Sequence, residues 1–221
     1  MSTPYIELHT HSYFSLLDGV PSPEALVEQA AAFGMPALAL TDHNALYGAS
    51  RFWQAAIKSG VKPLFGTEIT LANGGGHLTL LAENDDGYAN LCRLISLARN
   101  NCDKGTAALP QTLLANHTDG IIALSGCRKS GIVRAILNRH IDKATQLAMH
   151  FAAIFGPGNF FLELQRHHRR YDRSINAGLT TLGHELDLPL VATSNVHYLT
   201  QDDASLHDVL TCIRHRICLD E

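Results

Sequence analysis

The chain has 221 residues, 46% of them hydrophobic and 17% charged, enough for one sizeable core and short for two independent ones. A net charge of −4 gives no global pull on a polyanion, so any contact with phosphate has to come from a local patch or a bound cation. No apolar stretch reaches membrane-spanning length and no leader pattern is read, which excludes a membrane protein and points to the cytoplasm. The five cysteines, at positions 92, 102, 127, 212 and 218, are odd in number and irregular in spacing, so they read as reduced thiols rather than a disulfide frame.

In chain order, apolar runs of strand length alternate with helical patterns. A strand at 5–8 leads to a helix at 23–33, and a strand at 37–40 to a helix at 45–59. Strands at 61–65 and 77–82 follow, with the turn Asn73, Gly74, Gly75, Gly76 placed to make a hairpin or sharp reversal between them. A helix at 86–100 comes next, then a strand at 121–124 with helices at 131–137 and 142–155. Strands at 160–164 and 190–193 are each followed by a helix, at 171–186 and from Gln201 onward. Seven strands alternating with helices predict a parallel sheet covered by helices, as one domain over 1–221 without an internal boundary. Ser22 and Pro23 suit a helix start, and Gly34 and Gly60 suit helix stops.

Chemistry-bearing residues gather just after these strands. His9 and His11 follow the first, Asp42 and His43 the second, Glu68 the third and Cys127 the strand at 121–124. Glu163 and Gln165 follow the strand at 160–162, and Asn195 and His197 the last, whereas His77 begins its own strand. In a closed α/β barrel the carboxyl ends converge on one face, where such folds place their active sites. His9 and His11 are two apart, so on an extended strand both rings point the same way and can share one metal ion, with a carboxylate such as Glu68 completing or bridging the site. Each residue also has a plainer reading: Asp42 as a helix cap, Asp18 as a turn residue, Cys127 as an inert buried thiol.

The residues also carry a family resemblance, through 8–12 (LHTHS), 14–19 (FSLLDG), 40–43 (LTDH), 62–68 (KPLFGTE), 77–82 (HLTLLA), 87–91 (GYANL), 124–127 (LSGC), 162–165 (LELQ) and 191–198 (VATSNVHY). The chain resembles the PHP domain (polymerase and histidinol phosphatase), specifically the amino-terminal domain of bacterial C-family polymerase III alpha subunits. Segments 51–56 and 208–214 look most like the error-prone version. The resemblance implies a distorted (β/α)7 TIM-like barrel with up to three divalent ions (zinc, manganese or iron). One ion would use His9, His11, Glu68 and the residue at 195. A second would use Glu68 as a bridge with His77 and Cys127, and a third Asp18, His43 and His197. Asn195 departs from the family, which usually carries Asp there; a neutral amide is a poorer ligand and compensates no charge.

The expected activity is metal-dependent hydrolysis of a phosphoester, of the 3′–5′ exonuclease or pyrophosphatase type, since divalent ions can activate water and hold both oxygens of an in-line displacement. No G-x-S-x-G or Walker-type loop offers another route. Asp42, Arg128 and Lys129 are the candidate catalytic side chains, with Arg128 and Lys129 placed for a scissile phosphate. Partners would be a DNA 3′ end or another phosphoester and the rest of a polymerase chain; this chain has no residues for polymerisation itself. The basic run 166–173 can grip a nucleic-acid backbone or be a solvated loop. His207, Cys212, His215 and Cys218 match no zinc-finger spacing, and an amphipathic helix explains them better. A structural metal module and a free-standing histidinol-phosphate-type phosphatase are the alternatives.

Overall fold

A computed structural model describes residues 4–100, 102 and 105–220; the remaining positions of the expected domain lie outside the described residues. The chain forms two compact units, Met1–Phe65 with Asn195–Glu221, and Gly66–Ser194.

In the first unit, helix α1 (Pro23–Ala32) starts where the Ser22 hydroxyl accepts from the Ala25 N–H at 3.1 Å and Pro23 presets the first turn. Its buried residues Pro23, Leu26, Val27 and Ala30 follow helical spacing and face strand β1 (Ala37–Leu40), all four of whose residues are buried. Helix α2 (Ala49–Ser59) ends at Gly60, whose left-handed backbone (φ 69°) lets its N–H close the last turn on Ala56. The core joins Leu26, Val27, Leu38, Leu40, Phe52 and Val61, where each buried side chain of this size contributes about 1.5–3 kcal/mol.

The segment expected as the first strand forms single bridges rather than a ladder, Glu7 to Leu38 and Thr10 to Val196, both parallel. It is nonetheless pinned on both sides. Ala39 N donates to Glu7 O and Thr41 N to Thr10 O, each at 2.9 Å, while Val196 N donates to His9 O and His11 N to Val196 O at 2.9 and 2.8 Å. His9 and His11 thus stand on a backbone whose polar groups are satisfied on two flanks.

Strand β2 (Lys62–Leu71) begins parallel to β1, in register Ala37 with Lys62. In the second unit it continues antiparallel to β3 (Gly76–Ala82), Gly66 opposite Leu81 through Leu71 opposite Gly76. Strand β3 pairs antiparallel with β4 (Ile121–Leu124), and β4, β5 (Phe160–Gln165) and β6 (Leu190–Thr193) pair in parallel. The α/β class stands, but the wholly parallel sheet does not: the three-glycine turn at 74–76 produces the anticipated hairpin, and a hairpin is antiparallel by construction. Helices α3 (Asp85–Asn100), α4 (Gln111–Leu114), α5 (Gly131–Leu137), α6 (Ile141–Phe155) and α7 (Asp172–Leu186) belong to this unit. The chain then returns to the first unit, where a 3-10 turn at Gln201–Asp203 leads into α8 (Ala204–His215).

Candidate metal centre

In the first unit, imidazoles crowd together. The ring centre of His11 lies 5.1 Å from that of His9, 4.4 Å from His43 and 4.6 Å from His197. His9 and His11 are fully buried. Imidazoles this close bring several potential metal-ligand nitrogens together.

A hydrogen-bond network sets the orientation of His11. Asp42, 1% exposed, accepts from Ser12 N at 2.7 Å, Ser12 Oγ at 2.8 Å and Ser15 Oγ at 2.7 Å. Burial pushes the Asp42 carboxyl up, and the hydroxyls of Ser15 and Ser12 oppose that rise. Ser15 gives its one hydroxyl proton to Asp42, so it accepts from His43 N at 3.1 Å and from His11 Nδ1 at 3.0 Å. With the proton on Nδ1, the His11 Nε2 lone pair points toward the Asn195 side-chain oxygen, 3.1 Å away. In that tautomer a cation near Nε2 and the Asn195 oxygen would find a lone pair on each of them. Asn195 itself sits in left-handed backbone, φ 46°, which Asn tolerates better than most residues. Asp42 caps no helix, because α2 starts seven residues later at Ala49; its role in this geometry is to hold Ser12 and Ser15.

Asp18, 4% exposed, is the second focus of this unit. His43 Nε2 is 2.7 Å from its Oδ2, and Arg214 Nη1 is 2.5 Å from its Oδ1. His197 Nδ1 and His207 Nε2 stand 3.7 and 3.9 Å from the same Oδ1. Burial would raise the Asp18 carboxyl, but His207, His43 and His197 outweigh it and hold the group far below the ordinary carboxylate range. Gly19 makes the tight turn that delivers Asp18: a Cβ there would lie 2.0 Å from Ser12 O. His207 is not among the ligands that the sequence pattern suggests.

In the second unit, Glu68, 1% exposed, lies inside β2 rather than at its carboxyl end, opposite Thr79. Its Oε1 is 2.8 Å from His77 Nδ1 and 3.0 Å from Cys127 Sγ. Burial pushes the Cys127 thiol up, and the charge of Glu68 pushes it further; a bound divalent ion would reverse this balance and favour thiolate. Gly126, φ 84°, brings Cys127 against β3, since a Cβ on it would be 2.5 Å from His77 O. Glu163 is buried too and accepts from Gln165 Nε2 at 2.7 Å and from the Thr193 hydroxyl.

Arg128 is engaged with protein: Nη1 donates to Asp172 Oδ1 at 2.9 Å and to Arg170 O at 3.1 Å. Lys129 is exposed, as are Arg166, Arg169, Arg170 and Arg173 of the basic run. Among the described residues no helix is long and apolar enough to cross a membrane.

Fold and side chains together define an α/β protein with clustered histidine and carboxylate groups that could hold metal ions. Residues 7–167 match the model of the PHP domain, and the chain belongs to the PHP family. It is 43% identical to the error-prone DNA polymerase of Symbiobacterium thermophilum, over 98% of this chain and 21% of that protein. It is 35% identical to the DNA polymerase III subunit alpha of Saccharopolyspora erythraea, over 96% of this chain and 20% of that one. The chain therefore spans about a fifth of the length of these relatives. Among solved structures, a protein from Bifidobacterium adolescentis assigned as a metal-dependent phosphoesterase superposes with a TM-score of 0.59 at 16% identity, covering 90% of both chains. An amidohydrolase from Chromobacterium violaceum gives 0.55 at 19% identity, covering 87% of both. At these identities the likeness is one of fold.

Proposed function

We propose that this chain is a metal-dependent phosphoesterase module, of the 3′–5′ exonuclease or pyrophosphatase type, belonging to a bacterial polymerase III alpha subunit of the error-prone kind. It would act in the cytoplasm, with a DNA 3′ end or another phosphoester as substrate and the rest of the polymerase chain as its partner. The observation that carries this reading is the crowding of the His9, His43 and His197 rings around His11, whose Nε2 lies 3.1 Å from the Asn195 side-chain oxygen.

Up to three divalent ions (zinc, manganese or iron) would be held, with His9, His11, Asp18, His43, Asn195 and His197 as ligands from one unit and Glu68, His77 and Cys127 from the other. When bound, such ions supply activated water and charge stabilisation at phosphorus. The chain's own residues do the rest. Ser15 fixes the His11 tautomer, Asp42 holds Ser15 and Ser12, and Cys127 and His77 orient the Glu68 carboxylate. Asp42 thereby acts as a positioning residue. Lys129, exposed beside Cys127, and Arg128 would meet substrate phosphate, and the exposed arginines of 166–173 would steer a nucleic-acid backbone.

A second reading has a specific observation behind it. Asn195 brings no charge, so the module can retain metal for folding without turnover. Metal analysis of the chelated and reloaded chain, together with release of a labelled 3′ nucleotide, pyrophosphate hydrolysis and a small phosphate ester, separates these. Activity on the 3′ end that disappears in His9→Ala and His43→Ala supports the phosphoesterase reading. Metal content and hydrolysis unchanged in both variants would overturn it, and bound metal without hydrolysis favours the structural module.

A further inference from the structure

Helix α8 reads in the sequence as an amphipathic helix rather than a zinc motif. Its inward face carries His207, Thr211 and Arg214, four and three residues apart and so aligned on one side. The opposite face bears the exposed Leu206, Val209 and Ile213. Two of the three inward residues end at the same atom: His207 Nε2 is 3.9 Å, and Arg214 Nη1 2.5 Å, from Asp18 Oδ1.

Three observations set His207 apart from a helix-surface histidine. Its Nε2 is buried and has no hydrogen-bond partner among the described residues, the Asp18 oxygen at 3.9 Å being beyond hydrogen-bond reach. The ligand atoms of Asp18, His197 and His207 all lie within 4.8 Å of one another. The ring is oriented by two neighbours, with the ring centres of His197 and Tyr198 each 5.5 Å away. A buried imidazole nitrogen with no hydrogen-bond partner, aimed at a carboxylate and a second imidazole, is a costly arrangement for a group with no task. It is the arrangement a tetrahedral or open divalent site needs.

We propose that α8 supplies His207 as a ligand for a divalent ion at Asp18, together with His197, and Arg214 as the cation that competes with that ion for Asp18 Oδ1. This rests on the metal-dependent reading above and adds a residue and a control to it. A guanidinium and a divalent ion both neutralise the same buried carboxylate oxygen, so each weakens the hold of the other. Occupancy at Asp18 is therefore set by α8: Arg214 on Oδ1 favours the ion-free state, and an ion on Asp18, His197 and His207 releases the guanidinium.

Cobalt(II) titration of the 221-residue chain, read by visible d–d absorbance and by equilibrium dialysis, tests this. Arg214→Gln binds the cobalt at Asp18 more tightly than the unmodified chain. His207→Ala binds it at least about tenfold more weakly, the lower end of what even outer-shell partners are worth. His207→Cys keeps the ion and gains a sulfur-to-cobalt charge-transfer band, a signature that a merely structural histidine does not produce and that guards against misfolding of the alanine variant. Equal cobalt affinity in the unmodified, His207→Ala and Arg214→Gln chains, with no new band in His207→Cys, overturns the role of α8 while leaving the metal reading intact. An unmodified chain that takes up no cobalt overturns both.

Discussion

The Nε2 atom of His11 and the side-chain oxygen of Asn195 face each other at 3.1 Å, while the other ring nitrogen, Nδ1, lies 3.0 Å from the Ser15 hydroxyl. A carboxylate at 195 would bring charge to the same position. Asn195→Asp is therefore expected to raise affinity for manganese or zinc by about tenfold or more, by analogy with the effect of neighbouring carboxylates on metal sites. Isothermal titration of the chelated chain reads this directly; equal or weaker binding would remove Asn195 from the ligand set.

Ser15 ties three groups together, since it contacts His11, His43 N and Asp42. Ser15→Ala leaves a buried carboxylate short of a donor, at a cost of about 1–3 kcal/mol. It also frees the His11 ring to change tautomer. Both a lower midpoint in urea and weaker metal binding should appear; loss of stability with unaltered metal affinity would mean that the tautomer is set elsewhere.

Gly19 has no room for a side chain, because a Cβ would lie 2.0 Å from Ser12 O, which is backbone. Gly19→Ala must displace the turn that carries Asp18. Overpacking against rigid backbone costs about 1–3 kcal/mol, and the expected readout is a lower melting temperature with loss of the ion held by Asp18. A variant as stable as the parent would show the turn to be pliable.

Asp172 accepts from His167 N at 2.8 Å, Arg169 N at 2.9 Å and Arg128 Nη1 at 2.9 Å. Burial raises its carboxyl, but these partners outweigh it and hold it below the usual range. A depressed folded-state value adds stability that is present above the unfolded carboxylate value, about 3.9 for Asp, and is lost as pH falls through the lower folded one. Asp172→Asn should therefore lower stability at neutral pH, and the difference from the parent should shrink as acid is added. A pH-independent difference would assign the effect to packing alone.

Much of the site is readable from spacing. His9 and His11, two apart, do sit together on an extended segment, and the strand ends at 41–43 and 195–197 do bring His43 and His197 to it. What spacing could not convey is pairing between distant segments. Glu68 falls within β2 because the hairpin partner extends that strand to Leu71, and a single-sequence pattern has no access to a ladder formed with β3. The seven-strand count differs for a related reason: segment 7–10 is held by single bridges, whose cost and benefit depend on neighbours it does not touch in sequence. His207 was hidden by its own helix. Its polar character fits a solvent-facing position equally well, and only the return of 195–215 to the first unit turns that face toward Asp18. Asp42 was open to a capping role, which fails because the following residues form a turn before α2 begins.

Whether these side chains hold metal can be read directly. Diffraction from crystals of the 221-residue chain grown with zinc or manganese, collected at the corresponding absorption edge, tests it at atomic level. Anomalous density bonded to His11 Nε2 and to Glu68 Oε1 is the expected result. Density in the map for every side chain, with no anomalous peak at either atom, would contradict it.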